Sequence, residues 1–382
     1  MPNGMFSGFF GCRADFTGNQ GYTEKRVKEE RLMLLKYFFP VFSILCMFVF
    51  VNCDPPTNEP PVGPTDPVDR YIAVGNAGCI IYSDDYGETF TAVTSGTSVA
   101  LRDVASDGHG HCVAVGDGGT VVYSDDYGIT WHPGTVGAGV TTNYINGVAS
   151  YGQNNFVAVG EPTNFYPDGA YRSTNGGSTW DTYSMTVLFK SVCVTDSSTF
   201  VAVGHPNLLN NAAVYITANG GTSWNSATIN GSPNSMYRVI PTSGTWLVAV
   251  GENGTINSQG GYVWNVGNDT IGGRLRGEVY CNPPGRLIIV GTSTSGGFNH
   301  GTVYYSGSTG SILTEVIPAA TPDELYDIAG NGSGRLVAVG ANGEVISNVV
   351  TADPLAFGTQ WTHGDSGVSS QLWGVGYVAL GD

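Results

Sequence analysis

Short apolar runs that end in Val-Gly recur along the chain. Tyr71-Ile72-Ala73-Val74-Gly75 is the first, and apolar-Val-Gly endings follow at Gly116, Gly160, Gly204, Gly251, Gly291 and Gly340. Their spacings of 41, 44, 44, 47, 40 and 49 residues lie in the range of four-stranded propeller blades. Twelve residues ahead of six of these glycines stands a second apolar anchor: Val104, Val148, Val192, Val239, Val279 and Ile328. Each belongs to a short strand such as Leu101-Arg102-Asp103-Val104. No such strand precedes Tyr71; its counterpart, Leu372-Trp373-Gly374-Val375, stands at the other end of the chain. The pattern predicts an all-β, seven-bladed β-propeller over residues 71–382. The C-terminal strand completes the first blade, so that no edge is left unpaired.

After each Val-Gly strand comes another strand and a tight loop. Residues 83–90 (SDDYGETF) and 124–131 (SDDYGITW) share the frame Ser-x-Asp-x-Gly-x-Thr-aromatic. Ser173 to Trp180 and Thr217 to Trp224 keep it with Asn175 and Asn219 in the Asp place, and Ser258–Trp264 and Ser306–Leu313 are worn copies. A seventh is interrupted between Ser347 and Trp361. In such a hairpin the Asp or Asn accepts loop N–H groups, Gly supplies positive φ and the aromatic packs on the sheet. Ser83, Asp85, Gly87, Ser124, Asp126, Gly128, Trp131, Asn175, Trp180, Asn219 and Trp224 are therefore read as structural, because a residue repeated in most blades cannot mark one site.

The frame resembles the Asp-box, or bacterial neuraminidase (BNR) repeat. The full unit at 101–131 looks most like the repeats of the photosystem II assembly/stability factor family and is also similar to Asp-box glycosidases, including sialidases. The resemblance covers residues 71–382 and implies a propeller. It leaves the activity open between a binding or assembly module and a glycoside hydrolase, since one fold hosts many functions.

The long apolar run at 34–52 follows Met33 and ends at Cys53. A basic start and about fifteen apolar residues make a secretory signal, short of the ~20 residues of a membrane span. Upstream, Lys28-Glu29-Glu30 can be encoded by a purine run like a ribosome-binding site. Residues 1–32 are thus expected to be a mis-translated leader and 33–52 a lipoprotein-type signal. Cys53 is the expected lipid-attachment residue, although Phe50, Val51 and Asn52 depart from the usual lipobox, and an uncleaved anchor is the alternative. Residues 53–70 form a tether, with six prolines in the seventeen residues 54–70, extended at roughly 3 Å per residue. The expected location is the bacterial cell envelope, as a membrane-anchored lipoprotein, periplasmic or surface-exposed.

Charge narrows the partners. The chain carries 31 Asp+Glu against 15 Lys+Arg and 56 Gly. From Cys53 onward nine bases face 27 acids, giving −18. Such a surface cannot neutralise a phosphate backbone, which argues against nucleic acid, and it needs the lipid or the apolar anchor to hold a membrane.

Candidate chemistry is sparse. Glu161, Asp168, Glu252, Glu278 and Glu344 are carboxylates for a glycosidase, which needs a pair about 5–9.5 Å apart, but none stands in a motif. His109 and His111 beside Cys112 lack further spaced ligands, so no metal and no cofactor are expected. Cys79, Cys112, Cys193 and Cys281 are read as free thiols in strands. Blades 3, 4 and 6 are elongated between their second and third β-positions, and these loops carry Phe165, Tyr166, Asp168, Asn210, Phe298 and His300, suited to protein or carbohydrate contacts. Arg102, Lys190 and Arg276 lie in innermost strands with Arg238 beside them. The resemblance implies that these bases grip a partner; pairing with Asp103, Glu278 and Asp327 is the competing role. The balance leans away from an enzyme and toward a monomeric, non-enzymatic module for an envelope protein or carbohydrate, with glycoside hydrolysis as the alternative.

Overall fold

The structure, a computed structural model, describes residues 69–137, 143–162, 168–205, 212–231, 233–242, 244–252, 254–259, 261–266, 273–281, 286–295, 298–306, 313–316, 323–332, 334–349 and 361–380. Cys53 and the segments assigned above to leader, signal and most of the tether lie outside the described residues, as do Phe165, Tyr166 and Asn210.

Seven sheets form a seven-bladed propeller, antiparallel except in blade 5, where a fifth strand, Thr228–Asn230, pairs in parallel with Val263–Val266. Blade 2 sets the pattern: Leu101–Ser106 is innermost, followed outward by Cys112–Gly116, Val121–Ser124 and His132–Pro133. Blade 1 is assembled from both ends of the described chain. Arg70–Gly75 pairs on one side with Ile80–Ser83 and on the other with the C-terminal Leu372–Val378, with Tyr71 opposite Tyr377 and Ala73 opposite Val375. The expected closure is therefore present. Arg70, at the end of the tether read from the sequence, is the first residue of the blade.

The Val-Gly strands are second from the axis and mostly buried, completely so at Arg70–Gly75 and Cys112–Gly116, because a strand packed on both faces reads as a continuous apolar run. Neighbouring blades share their cores: Ile72, Val74 and Ile80 of blade 1 pack with Leu101, Val104, Cys112, Val122 and Trp131 of blade 2. Each fully buried side chain of this size contributes ~1.5–3 kcal/mol.

The Asp-box hairpins behave as expected. Ser124 Oγ donates to Asp126 at 2.8 Å, and Asp126 accepts the Thr130 N–H at 2.8 Å and the Thr130 hydroxyl at 2.6 Å. Trp131, Trp180, Trp224 and Trp264 each donate an indole N–H to the carbonyl of the box glycine, Gly128, Gly177, Gly221 and Gly261. Gly128 has φ +84°, and a Cβ there would meet Ile72 Cδ1 of blade 1 at 2.3 Å.

Three sequence expectations need correction. The blade 6 elongation is a continuation of the hairpin, with Thr292 opposite Gly301, Ser293 opposite His300 and Ser295 opposite Phe298. Cys79 sits in the turn before Ile80–Ser83 and is half-buried; Cys79, Cys112 and Cys193 are free thiols. In blade 6 the apolar anchor slot holds Glu278. Glu278 pairs with Ile289 as Val104 pairs with Ala114, and Val279 falls one place later.

Candidate functional site

Every innermost strand is interrupted at the same place. In blade 2 the pairing runs Leu101 to Gly116 and then skips to Asp103 and Val115. The same register shift recurs at Ile145/Gly147, Phe189/Ser191, Met236/Arg238, Leu275/Gly277 and Leu325/Asp327. In blade 1 the partners jump from Leu372 to Gly374. A bulge leaves one residue out of the ladder and re-aims its side chain. The seven released residues are Arg102, Asn146, Lys190, Tyr237, Arg276, Tyr326 and Trp373. All seven line one cavity of about 150 Å³ at the mouth of the axis, joined by Arg238 and Asp327.

The mouth has two halves. In blades 5, 6, 7 and 1 aromatics dominate. Trp373 stacks on Tyr326 with centroids 4.6 Å apart and planes at 18°, and the Arg276 guanidinium lies 5.2 Å from the Tyr326 centroid and 5.4 Å from that of Tyr237. The rings are held from behind: Tyr237 donates to Glu252 at 2.9 Å, Tyr326 to Glu324 at 3.3 Å and the Trp373 indole to Asn76 at 2.7 Å. In blades 2, 3 and 4 the mouth is charged. Arg102 is paired with Asp117 and lies over Tyr144, while Lys190 is paired with Glu161, which also accepts from Asn146.

Below the mouth the axis is tied by charge. Arg238 of blade 5 reaches Asp103 of blade 2 at 3.2 Å and Asp327 of blade 7 at 3.5 Å. The two aspartates occupy the same place in their blades, and each accepts an N–H from the next innermost strand, Val148 at 2.9 Å and Val375 at 3.0 Å. Where other blades have glycine here the strands approach closely; a Cβ on Gly147 would lie 2.9 Å from Ser191 Cα. Burial pushes Asp327 up to about 6, with Asp103 adding to the rise and Arg238 opposing it. Burial also raises Glu278 well above the ordinary carboxylate range; among the described residues neither of its oxygens has a hydrogen-bond partner of normal geometry, although the Ile240 amide favours the charged form.

Of the binding residues expected from sequence, Arg102, Lys190, Arg238 and Arg276 converge on this mouth. The pairing expected with Asp103 and Asp327 holds for Arg238 alone; Arg102 and Lys190 take Asp117 and Glu161, at the outer end of the Val-Gly strands. Asp168 accepts a bond from Ser184 at 3.3 Å, and His300 lies in the blade 6 hairpin opposite Ser293; neither lines the mouth. Phe298 is in that hairpin too. Sequence reading missed Asn146, Tyr237, Tyr326 and Trp373. Their signal was the position after the apolar residue that opens each innermost strand.

The candidate carboxylates are dispersed among separate partners: Glu161 with Lys190, Glu252 with Tyr237 and Arg274, Glu344 with His363 at 2.7 Å. The His109–His111 loop is organised by Asp107, which accepts both backbone amides and faces His111 Nδ1 at 3.0 Å. Among the described residues no group of three or more His, Cys, Asp or Glu is arranged to hold a metal ion.

Comparison with known proteins agrees with this architecture. Residues 122–133 match the BNR/Asp-box repeat. The fold is similar to YCF48 bound to a D1 peptide, with 20% identity, TM-score 0.52, and coverage of 69% of this chain and 80% of that one. It is similar to YCF48 from Cyanidioschyzon merolae, with 16% identity, TM-score 0.52, and coverage of 71% and 86%. A protein from Lactobacillus plantarum aligns at 12% identity and TM-score 0.59, with coverage of 81% of this chain and 99% of that one. No curated protein matches the chain.

Proposed function

We propose that this Asp-box seven-bladed propeller, with the fold of the photosystem II assembly factor YCF48, is a non-enzymatic binding or assembly module that engages its partner at the axial mouth. One observation carries the reading: seven bulges, spread over more than 270 residues from Arg102 to Trp373, release their side chains into a single cavity that combines bases with stacked aromatics. That composition suits protein recognition, where Arg, Tyr and Trp supply most of the binding energy. The peptide held by a YCF48 structure supports a protein segment as the partner class, with an envelope carbohydrate as the alternative ligand.

The module is carried on an exported lipoprotein, anchored through lipid on Cys53 and held off the membrane by the proline tether of residues 53–70. It acts as a monomer in the bacterial envelope, without nucleic acid, metal or cofactor. Intact mass of the membrane-fraction protein tests the anchor: residues 53–382 plus acyl chains is the expected species, and retention of residues 33–52 or 1–32 overturns it.

Affinity capture from solubilised envelopes tests the mouth. The wild type should retain a partner that the Arg102→Glu/Lys190→Glu/Arg276→Glu variant loses at unchanged folding. Equal capture by both would move the binding surface elsewhere.

Glycoside hydrolysis is the second reading, and one observation favours it. Asp327, pushed up to about 6 by burial, borders the cavity with Glu278 close behind, and a carboxyl raised above its ordinary range is what a general acid needs. Against it, Asp327 is committed to Arg238 and the Val375 amide. Hydrolysis of fluorogenic glycosides that disappears in Asp327→Asn would establish the enzyme.

A further inference from the structure

The repeat supplies an internal control for the mouth. In four blades the residue after the Val-Gly glycine is a partner for the bulge side chain of its own blade. Asn76 accepts from Trp373, Asp117 pairs with Arg102, Glu161 accepts from Asn146 and Glu252 accepts from Tyr237. Blades 2 and 6 both place arginine at the bulge, Arg102 and Arg276. They differ at the partner position, which is Asp117 in blade 2 and Thr292 in blade 6.

The consequence is visible on both sides of that missing pair. Arg276 has no carboxylate partner and no hydrogen bond among the described residues, and its Nε is buried and unpaired. Thr292 is 6% exposed and its hydroxyl also has no hydrogen-bond partner among the described residues. The other mouth bases, Arg102, Lys190 and Arg238, each hold an acid already. Two orphaned polar groups thus stand at the positions that form an ion pair in a sister blade.

The chemistry there is specific. The Arg276 guanidinium lies over the rings of Tyr237 and Tyr326, which come from the two blades flanking its own. A guanidinium edge matches a planar carboxylate in the fork geometry of Arg–carboxylate pairs. The ring faces beside it, continued by Trp373, favour an apolar or aromatic group next to that carboxylate.

We infer that Arg276 and Thr292 form a carboxylate subsite in which the ligand supplies the acid that Asp117 supplies in blade 2, and that the ligand is a peptide presenting a carboxylate on an apolar or aromatic residue. This deepens the proposed function and rests on the mouth being the binding surface. It makes Arg276 the specificity residue, while Arg102 and Lys190 shape the rim.

The test uses N-acetylphenylalanine and its amide as probes, read by saturation-transfer NMR on the full chain. Wild-type protein should bind the acid at least tenfold better than the amide. Thr292→Asp places an internal acid on Arg276 as in blade 2, and should abolish acid binding while the protein melts as wild type does. Arg276→Gln provides the second loss, should Thr292→Asp fail to fold. Asp117→Thr, which frees Arg102 in the same way, should create a second acid-selective site.

Equal binding of acid and amide, or acid binding that survives Thr292→Asp and Arg276→Gln, overturns the subsite. Absence of probe binding while envelope capture still depends on the mouth overturns the subsite alone. Acid-selective binding with mouth-independent capture overturns the proposed function and leaves the subsite standing.

Discussion

Arg238 Nη1 lies 3.2 Å from Asp103 Oδ1, a contact between residues 135 apart in sequence that joins blade 5 to blade 2 across the propeller axis. With Asp327 on its other side, this one guanidinium neutralises two buried aspartates, and their charges in turn raise its pKa against the effect of burial. Removing it leaves both acids buried without a counter-ion. Arg238→Met should cost about 3–5 kcal/mol, measured by chemical denaturation at pH 7. A change below ~1 kcal/mol would show that the axis is held by backbone contacts alone.

Glu278 predicts the opposite sign. It fills the slot held by Val104, Val148, Val192, Val239, Ile328 and Val375 in the other blades, and it faces Arg238, Asp327 and Cys193. Its folded pKa is raised, so folding retains a proton that the unfolded chain releases above about pH 4.3. The group is therefore neutral in both states at lower pH and costs stability increasingly as pH rises toward its folded pKa. Glu278→Val should stabilise the protein at pH 7, by about 1–3 kcal/mol, because an apolar side chain in such a slot avoids burying a charge. The gain should shrink toward pH 4 in urea melts.

The seam at Tyr71 and Tyr377 makes the C-terminal strand integral. Leu372 and Val375 are buried, and the Val375 amide is donated to Asp327. Deleting residues 371–382 exposes the edge of Arg70–Gly75 and removes that tie. The truncated protein should lose its cooperative thermal transition; unchanged melting would refute the closure.

Asp126 should matter to stability and not to binding. Burial works to raise its pKa, but the Thr130 hydroxyl and amide outweigh it and the net shift is downward. Its contribution is thus present above the unfolded carboxylate pKa of about 3.9 and is lost as pH falls through the folded value. Asp126→Ala should cost about 1–2 kcal/mol near neutral pH and leave probe binding at the mouth intact. Equal stability of variant and wild type would remove the box from the stability account.

Fold and site differ in how far the chain displays them. Val-Gly endings, box hairpins and the displaced Leu372–Val375 strand determine blade number and closure by local pattern, because alternation, turn chemistry and strand burial act within one repeat. That level also brought out the bases in the innermost strands. Tertiary structure decided the rest. A bulge shifts register by one residue, which turned Tyr237, Tyr326 and Trp373 into mouth residues, and one more residue between Glu278 and its partner Ile289 than between Val104 and Ala114 put that acid in the apolar slot. The partner of each base was settled the same way. Arg102 and Arg276 look alike along the chain, and only the folded ring shows that Asp117 answers the first while Thr292 leaves the second open, because an ion pair depends on which side chain closure brings opposite.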